Sequence, residues 1–260
     1  MLVEPGLTRY DLHFRLFGFP VRVHPLFWLL SILLGADTLK IGPEYLLIWV
    51  AVVFASILVH ELGHCLAFRL FGVRSNIVLY SFGGLAIPWS GIRERWRRVA
   101  VSLAGPGAGF LLYGLVYGSN RAFGWTALVA SPYLVVAYIW LLSVYLYWGL
   151  LNLLPVVPLD GGRVSEEVCT GVWPRNGPAI AYQISMLVAG LLSIYCLFWQ
   201  IAPAQAKELY KELPWWLQLP IGGLWTALMF GLLAYMSYQA LQRWRWTNRH
   251  WADERLPWER

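Results

Sequence analysis

Charged side chains are scarce in this chain of 260 residues: 13% are Asp, Glu, Lys or Arg, whereas 58% are hydrophobic. Soluble domains usually carry about a quarter charged residues. Four segments, residues 99–120, 122–159, 176–206 and 213–242, contain no charge at all. Each is longer than the roughly 20 residues that cross a bilayer as a helix. The shortage of charge therefore argues against a water-soluble fold and predicts an integral, multi-pass membrane protein.

Cysteine is also rare. The three cysteines, Cys65, Cys169 and Cys196, show no CxxC spacing, which argues against a disulfide framework and against a cysteine-rich zinc site. Residues 1–24 hold acidic and basic side chains and no apolar core, so we expect no cleavable signal peptide there.

The net charge of +6 comes from basic residues in short segments beside apolar runs. This distribution favours membrane-flanking loops and a lipid bilayer as partner, with no nucleic acid.

Apolar runs predict six transmembrane spans, near residues 25–40, 44–71, 99–117, 132–154, 178–201 and 219–241. The first is the weakest, because Asp37 interrupts it, and a soluble or re-entrant segment is the alternative there. A cytoplasmic N-terminus places 16 of the 20 Lys and Arg residues inside, as the positive-inside rule requires. Both termini are therefore predicted to be cytoplasmic, in a cell membrane.

The predicted organisation has four parts. They are a cytoplasmic N-terminal segment (1–24), a transmembrane core (25–177), two additional transmembrane helices (178–241) and a cytoplasmic tail rich in Arg and Trp (242–260). Within the core, residues 76–87 are rich in β-branched and aromatic side chains, with Gly83 and Gly84 as a turn, and predict a β-hairpin. The expected fold class is an all-α polytopic membrane protein of about six transmembrane helices, with a short membrane-associated β-hairpin after the second.

The second span contains the pattern HExxH. Residues four apart share one helix face, so the imidazoles of His60 and His64 can both reach one metal ion, with Glu61 beside its open side. The alternative is a packed core with no ligand. However, a carboxylate inside a span costs about 2.5–3.5 kcal/mol on insertion scales, and ionisable groups at that depth are functional by default. The pattern therefore predicts a metal site in the membrane.

A catalytic zinc ion usually takes three protein ligands and a water, so a third ligand is needed. Asp160 follows the fourth span and is the only aspartate between Asp37 and Asp253. Pro155 and Pro158 end that helix because proline lacks the backbone N–H. Spans two and four run in the same direction, so Asp160 and HExxH are expected at one depth, near the inner surface.

These motifs together resemble the site-2 protease family of intramembrane zinc metalloproteases. The resemblance covers about residues 15–165 and includes HExxH, the run NxxPxxPLDGG from Asn152, Leu103-Ala104-Gly105-Pro106 and the segment 17–25. It departs at Gly109, where the family pattern has asparagine. The resemblance implies zinc as cofactor, with His60, His64 and Asp160 as its ligands and Glu61 as the catalytic base. It also implies that Asn152 lies near the substrate carbonyl. The hairpin with Gly83 and Gly84 would pair with an extended substrate strand.

The function expected from this resemblance is hydrolysis of peptide bonds in transmembrane-helix substrates near the cytoplasmic membrane face. Substrates should carry helix-weakening residues there, since a helix hides its carbonyls in its own hydrogen bonds. A second interpretation of Asn152 is that its amide satisfies a backbone carbonyl. The rival function is an inactive relative that binds transmembrane helices as a scaffold. A metal transporter would need ionisable residues along a path, and spans three, five and six offer none.

Overall fold

The computed structural model describes residues 5–81, 83–124, 131–202 and 223–253. The chain divides into two compact units, Met1–Leu153 and Leu154–Arg260. The first four residues of the predicted sixth span (219–222) and the end of the predicted tail (254–260) lie outside the described residues.

The first unit contains a small sheet and four α-helices among its described residues. Its elements, in chain order, are β1 (Leu12–Leu16), β2 (Phe19–Val23), α1 (Pro25–Leu34), a 3-10 helix (Ala36–Lys40), α2 (Pro43–Leu70), β3 (Ser75–Tyr80), β4 (Gly83–Pro88), α3 (Arg95–Phe123) and α4 (Pro132–Asn152).

The sheet has the strand order β1-β2-β3-β4. β1 and β2 are antiparallel, as are β3 and β4, whereas β2 and β3 run parallel. Parallel strands need a long crossover connection, and here that connection consists of α1 and α2. The helix that carries HExxH therefore leads directly into the sheet at its C-terminal end, where β3 begins five residues after Leu70.

One face of the sheet packs against α2. Successive strand residues point to opposite faces, and alternate residues of β2 and β3, such as Val21, Val23, Ile77 and Leu79, are almost fully buried. They form one hydrophobic cluster with residues of α1 and α2 that reaches Leu62, inside the HExxH turn. This packing places the sheet directly beside the candidate site.

The second unit contains three described helices, α5 (Asp160–Val172), α6 (Gly177–Ile201) and α7 (Leu224–Asp253). α6 and α7 pack closely enough for the Ser193 hydroxyl to donate to the Ala227 carbonyl at 2.8 Å. α5 lies between the predicted fourth and fifth spans, where the sequence predicted no helix. α7 continues the predicted sixth span into the Arg- and Trp-rich tail.

Five of the described helices are long and apolar enough to cross a membrane, namely α2, α3, α4, α6 and α7. They support the predicted multi-pass membrane protein. The first predicted span differs: α1 has ten residues, which rise about 15 Å against the roughly 30 Å of the hydrocarbon core. A membrane crossing at 25–40 therefore has no support from helix length.

The β structure is more extensive than the sequence indicated. The strands of the expected hairpin lie at Ser75–Tyr80 and Gly83–Pro88, with Tyr80 opposite Gly83. Gly83 and Gly84 are thus the first residues of β4 and not its turn, which corrects that assignment. The N-terminal segment 1–24 contributes β1 and β2 to the same sheet, so the protein is mostly helical with a small sheet and not all-α.

Candidate metal centre and active site

The HExxH turn lies in the buried part of α2. His60, Glu61 and His64 are each 4–5% exposed, although the helix is of membrane-crossing length. The imidazoles of His60 and His64 face each other, with their Nε2 atoms 3.2 Å apart. This separation brings two potential metal ligands to one point, as the four-residue spacing predicted.

The distance between the two nitrogens fits a tetrahedral zinc ion. Zinc–nitrogen bonds of about 2.0–2.1 Å at a tetrahedral angle place the two nitrogens about 3.3–3.4 Å apart. The observed 3.2 Å differs from this by only one or two tenths of an ångström. The separation of the two nitrogens is therefore compatible with one shared zinc ion.

A backbone carbonyl of α3 orients one of the rings. Nδ1 of His64 lies 2.7 Å from the carbonyl oxygen of Val101, and both atoms are in a buried environment. A neutral imidazole that donates from Nδ1 keeps Nε2 unprotonated, which is the form that binds metal. The contact with Val101 thus selects the tautomer that the site needs.

Close packing of α3 against α2 makes this contact possible. A Cβ on Gly63 would lie 2.8 Å from the Cβ of Ala108, and a Cβ on Gly105 would lie 2.5 Å from Cε1 and 2.8 Å from Cδ2 of His64. Both distances are too short for non-bonded atoms. The run Leu103-Ala104-Gly105-Pro106 therefore supplies a surface without a side chain against which the His64 ring lies.

This packing gives a testable expectation for Gly105. In Gly105→Ala the new methyl group displaces the His64 imidazole, and we expect zinc affinity to fall about 10- to 100-fold, the usual cost of disturbing the groups that orient a metal ligand. The measurement is a zinc titration of the purified protein against a chelating indicator. Gly107→Ala is the matched control, because a Cβ there meets no atom within 4 Å. Equal zinc affinity in both variants would contradict this role.

Strand β4 runs past the carboxylate of Glu61. A Cβ on Gly84 would lie 2.7 Å from Cδ and from Oε1 of Glu61, whereas a Cβ on Gly83 would meet only the Trp148 ring, at 3.5 Å. The absence of a side chain at Gly84 thus lets the strand approach Glu61. Strand β4 is also an edge strand of the sheet.

Asn152 is the last residue of α4 and is buried. Its side-chain amide donates to the carbonyl oxygen of Trp148, one turn earlier in the same helix, at 2.9 Å. This contact agrees with the second interpretation, in which the amide satisfies a backbone carbonyl. A role of Asn152 towards a substrate carbonyl stays a prediction.

Asp160 is the first residue of α5 and is 6% exposed. The backbone before it folds over the start of that helix, since a Cβ on Gly162 would lie 2.5 Å from the backbone nitrogen of Val157. Gly161 and Gly162 therefore lie within the first turn of a helix, and Gly162 allows a close backbone approach. The Asp160 carboxylate thus lies at the N-terminus of α5.

Two serines of the second unit anchor the segment before Asp160. The hydroxyl of Ser185 accepts a hydrogen bond from the Val157 N–H at 2.7 Å and lies 2.6 Å from the hydroxyl of Ser237. Both serines are fully buried, one on α6 and the other on α7. The last two helices thus hold the backbone three residues before the predicted ligand.

His60 and His64 offer two imidazole nitrogens in the first unit, and the carboxylate of Asp160, in the second unit, stays the predicted third ligand. Two imidazoles and one carboxylate form a donor set found in catalytic zinc sites, where a water completes the coordination. The chemistry of the donors therefore fits zinc.

The sequence also matches a known family. The model of peptidase family M50 aligns with residues 48–195, which include HExxH, Asn152 and Asp160. The chain belongs to peptidase family M50.

Curated relatives of this M50 chain are named as zinc metalloproteases. The candidate zinc metalloprotease sll0528 of Synechocystis is 33% identical over 179 residues, which are 62% of this chain and 44% of that protein. The candidate zinc metalloprotease Rip3 of Mycobacterium tuberculosis is 28% identical over 236 residues, 83% of this chain and 54% of that protein. The chain thus spans about half the length of these relatives.

A solved structure shares the fold. The site-2 protease from Methanocaldococcus jannaschii superposes with a TM-score of 0.54 at 18% identity, over 89% of this chain and 95% of that one. At this identity the likeness concerns the fold alone. It agrees with the resemblance that the motifs indicated.

Proposed function

We propose that this M50 chain is a zinc-dependent intramembrane endopeptidase that cleaves transmembrane-helix substrates near the cytoplasmic membrane face. The observation that carries the proposal is the pair of imidazoles 3.2 Å apart on a buried turn of a membrane-length helix. The sequence relatives that are named as zinc metalloproteases support the choice of metal and reaction.

In this proposal His60, His64 and Asp160 hold the zinc ion. Zinc bound there would supply Lewis-acid chemistry, the activation of a water and the polarisation of the substrate carbonyl. Glu61 would accept a proton from the attacking water and pass it to the leaving amine. The burial of Glu61 supports this role, because exclusion of bulk water strengthens electrostatic interactions within the site.

The edge strand β4 is the proposed docking site for the substrate. An extended peptide that pairs with this edge gains main-chain hydrogen bonds. Gly84 lies against Glu61, so such a peptide would pass beside the carboxylate. A substrate helix must unwind to pair in this way, which exposes the carbonyl that is attacked. Asn152 is proposed to lie near that carbonyl.

The depth of the site sets the position of the cleaved bond. His64 precedes the end of α2 at Leu70 by six residues, which is about 9 Å along the helix axis. Strand β2 of the N-terminal segment pairs with β3, which follows α2, so the end of α2 lies on the same side as that segment, and the distribution of Lys and Arg favours the cytoplasm for this side. We therefore expect cleavage within the membrane but close to its cytoplasmic surface.

The test is cleavage of single-span substrates by the purified protein in liposomes. We expect products whose ends, mapped by mass spectrometry, lie in the cytoplasmic third of the span. A chelator should abolish the products, and added zinc should restore them. Substrates with Gly or Pro near the cleaved bond should react faster than versions with Leu, because they unwind more easily. Binding of the substrate helix without cleavage, in zinc-loaded protein, would overturn the proposal in favour of a scaffold.

A further inference from the structure

A cavity of about 510 Å³ lies at the end of α2, on the sheet side. Its volume is within the range of about 300–1,000 Å³ typical of small-molecule sites. Arg15 of β1, Arg69 of α2 and Arg74 before β3 line it, together with Trp89 after β4, and none of the described residues that line it is acidic. Three separate segments thus bring positive charge to one cavity.

The charges of two of these arginines are uncompensated in the described part of the chain. By contrast, Arg22 on the neighbouring strand β2 is buried, and its charge is compensated by Asp11 at 3.2 Å. Arg15 and Arg74 are exposed, and within the described residues the side chain of neither makes a hydrogen bond, an ion pair or a ring contact. Their guanidinium groups are therefore available to an anion.

The third arginine is already held in place. Nη2 of Arg69 donates to the carbonyl oxygen of Phe17 at 2.9 Å, and its guanidinium carbon lies 3.8 Å from the centre of the Phe19 ring. A fixed guanidinium loses less conformational freedom when it binds a ligand. The wall of the cavity thus presents one preorganised cation beside two adaptable ones.

The cavity adjoins the end of a helix of membrane-crossing length, where a membrane surface is expected. Arg69 and Arg74 flank the end of α2, a helix of membrane-crossing length that ends at Leu70. Leu70 is 85% exposed and Trp89 is 63% exposed, as expected for side chains that contact lipid and the interfacial region. Lipid phosphates are found at this depth, which makes a lipid the nearest source of an anion.

We propose that this cavity binds the phosphate of an anionic phospholipid head group such as phosphatidylglycerol. Guanidinium groups match the geometry of phosphate oxygens and bind them through paired hydrogen bonds. A phosphate between Arg15 and Arg74 would join β1 to the start of β3. The lipid would thereby brace the sheet whose edge strand β4 lies against Glu61.

The experiment is native mass spectrometry of the full chain in detergent, titrated with phosphatidylglycerol or phosphatidylcholine of the same acyl chains. We expect one phosphatidylglycerol to bind at least about tenfold more tightly than phosphatidylcholine. Each interfacial arginine is expected to raise the affinity for an anionic lipid by a factor of about ten or somewhat less. The double variant Arg15→Gln/Arg74→Gln should lose this preference. The matched control Arg243→Gln/Arg245→Gln removes the same charge from exposed positions of α7 outside the cavity, and should keep it.

Thermal melting supplies a second readout and a check of folding. Phosphatidylglycerol should raise the melting temperature of the wild type and the control, but not of the double variant, because a ligand stabilises the state it binds. If the double variant does not fold in phosphatidylcholine, Arg15→Lys/Arg74→Lys replaces it and should show a weakened preference. An unchanged preference in the variant would overturn the proposal. Arginine-dependent binding of inorganic phosphate without binding of phosphatidylglycerol would overturn the lipid as the source.

Discussion

Replacing Glu61 by Gln is expected to lower the cleavage rate about 100- to 10,000-fold, the usual contribution of a general acid–base group. Bound zinc should stay near the wild-type amount, because Glu61 is not one of the proposed ligands. The amide of Gln has nearly the shape of the carboxylate, so packing against Gly84 is retained and only proton transfer is lost. Cleavage of a labelled single-span substrate and metal analysis of the same preparation measure the two effects.

The matched control for this experiment is Glu44→Gln. Glu44 lies in the first turn of the same helix and is exposed, so the variant makes the same chemical change far from HExxH. We expect its cleavage rate to stay within about twofold of the wild type, as for most exposed substitutions. If Glu61→Gln cleaved as fast as Glu44→Gln at equal zinc content, Glu61 could not be the base.

The local parts of the candidate site could be predicted from the sequence. The spacing of His60 and His64 predicts that both side chains share a helix face, because the helical period is a property of the backbone. The apolar run around them, in which Glu61 is the only charged residue between Tyr45 and Phe68, predicts that this helix lies in a membrane. Asp160 could be singled out because a lone carboxylate at the end of a long apolar run is costly unless it binds a cation or a polar group. Each of these inferences uses residues that are close together in the chain.

Features that depend on contacts between distant segments could not be predicted. β1 and β2 are five residues each, and β2 pairs with β3 across more than 50 residues, so no local pattern shows the sheet. The carbonyl of Val101 orients His64. Every residue has a backbone carbonyl, so the sequence does not show which one makes this contact. The run Ala104-Gly105-Pro106 was part of the family resemblance. Only the structure shows that Gly105 packs against the His64 ring.

The predicted spans five and six contain a buried pair of serines that the sequence did not indicate. Their sequence indicated only apolar helices, and serine is common enough in membrane helices to attract no notice. In the structure the hydroxyls of Ser185 and Ser237 lie 2.6 Å apart, and the Ser185 hydroxyl accepts a hydrogen bond from the Val157 N–H. A buried hydroxyl without a partner is costly, so this pair is expected to fix the geometry of the segment before Asp160. The two additional helices thus support the loop that carries a predicted ligand.

Loss of the Asp160 carboxylate is expected to have the largest effect on metal content. Disturbing a group that merely orients a ligand costs about 10- to 100-fold in metal affinity, so removal of a ligand in Asp160→Ala should cost more than about 100-fold. We expect the purified variant to contain little zinc and to show no cleavage. Metal analysis, and the visible spectrum of the cobalt-substituted protein, measure the loss independently of activity.

The control for Asp160→Ala is Asp37→Ala, which removes an exposed carboxylate that pairs with the neighbouring Lys40. It should keep full zinc content, since surface ion pairs contribute little. Asp160→Asn separates the two properties of the side chain, because it keeps the shape and removes the charge that attracts the cation. Should Asp160→Ala retain zinc while His60→Ala loses it, two imidazoles would bind the metal with a different third ligand, and the proposed role of the fourth helix and its following turn would have to be abandoned.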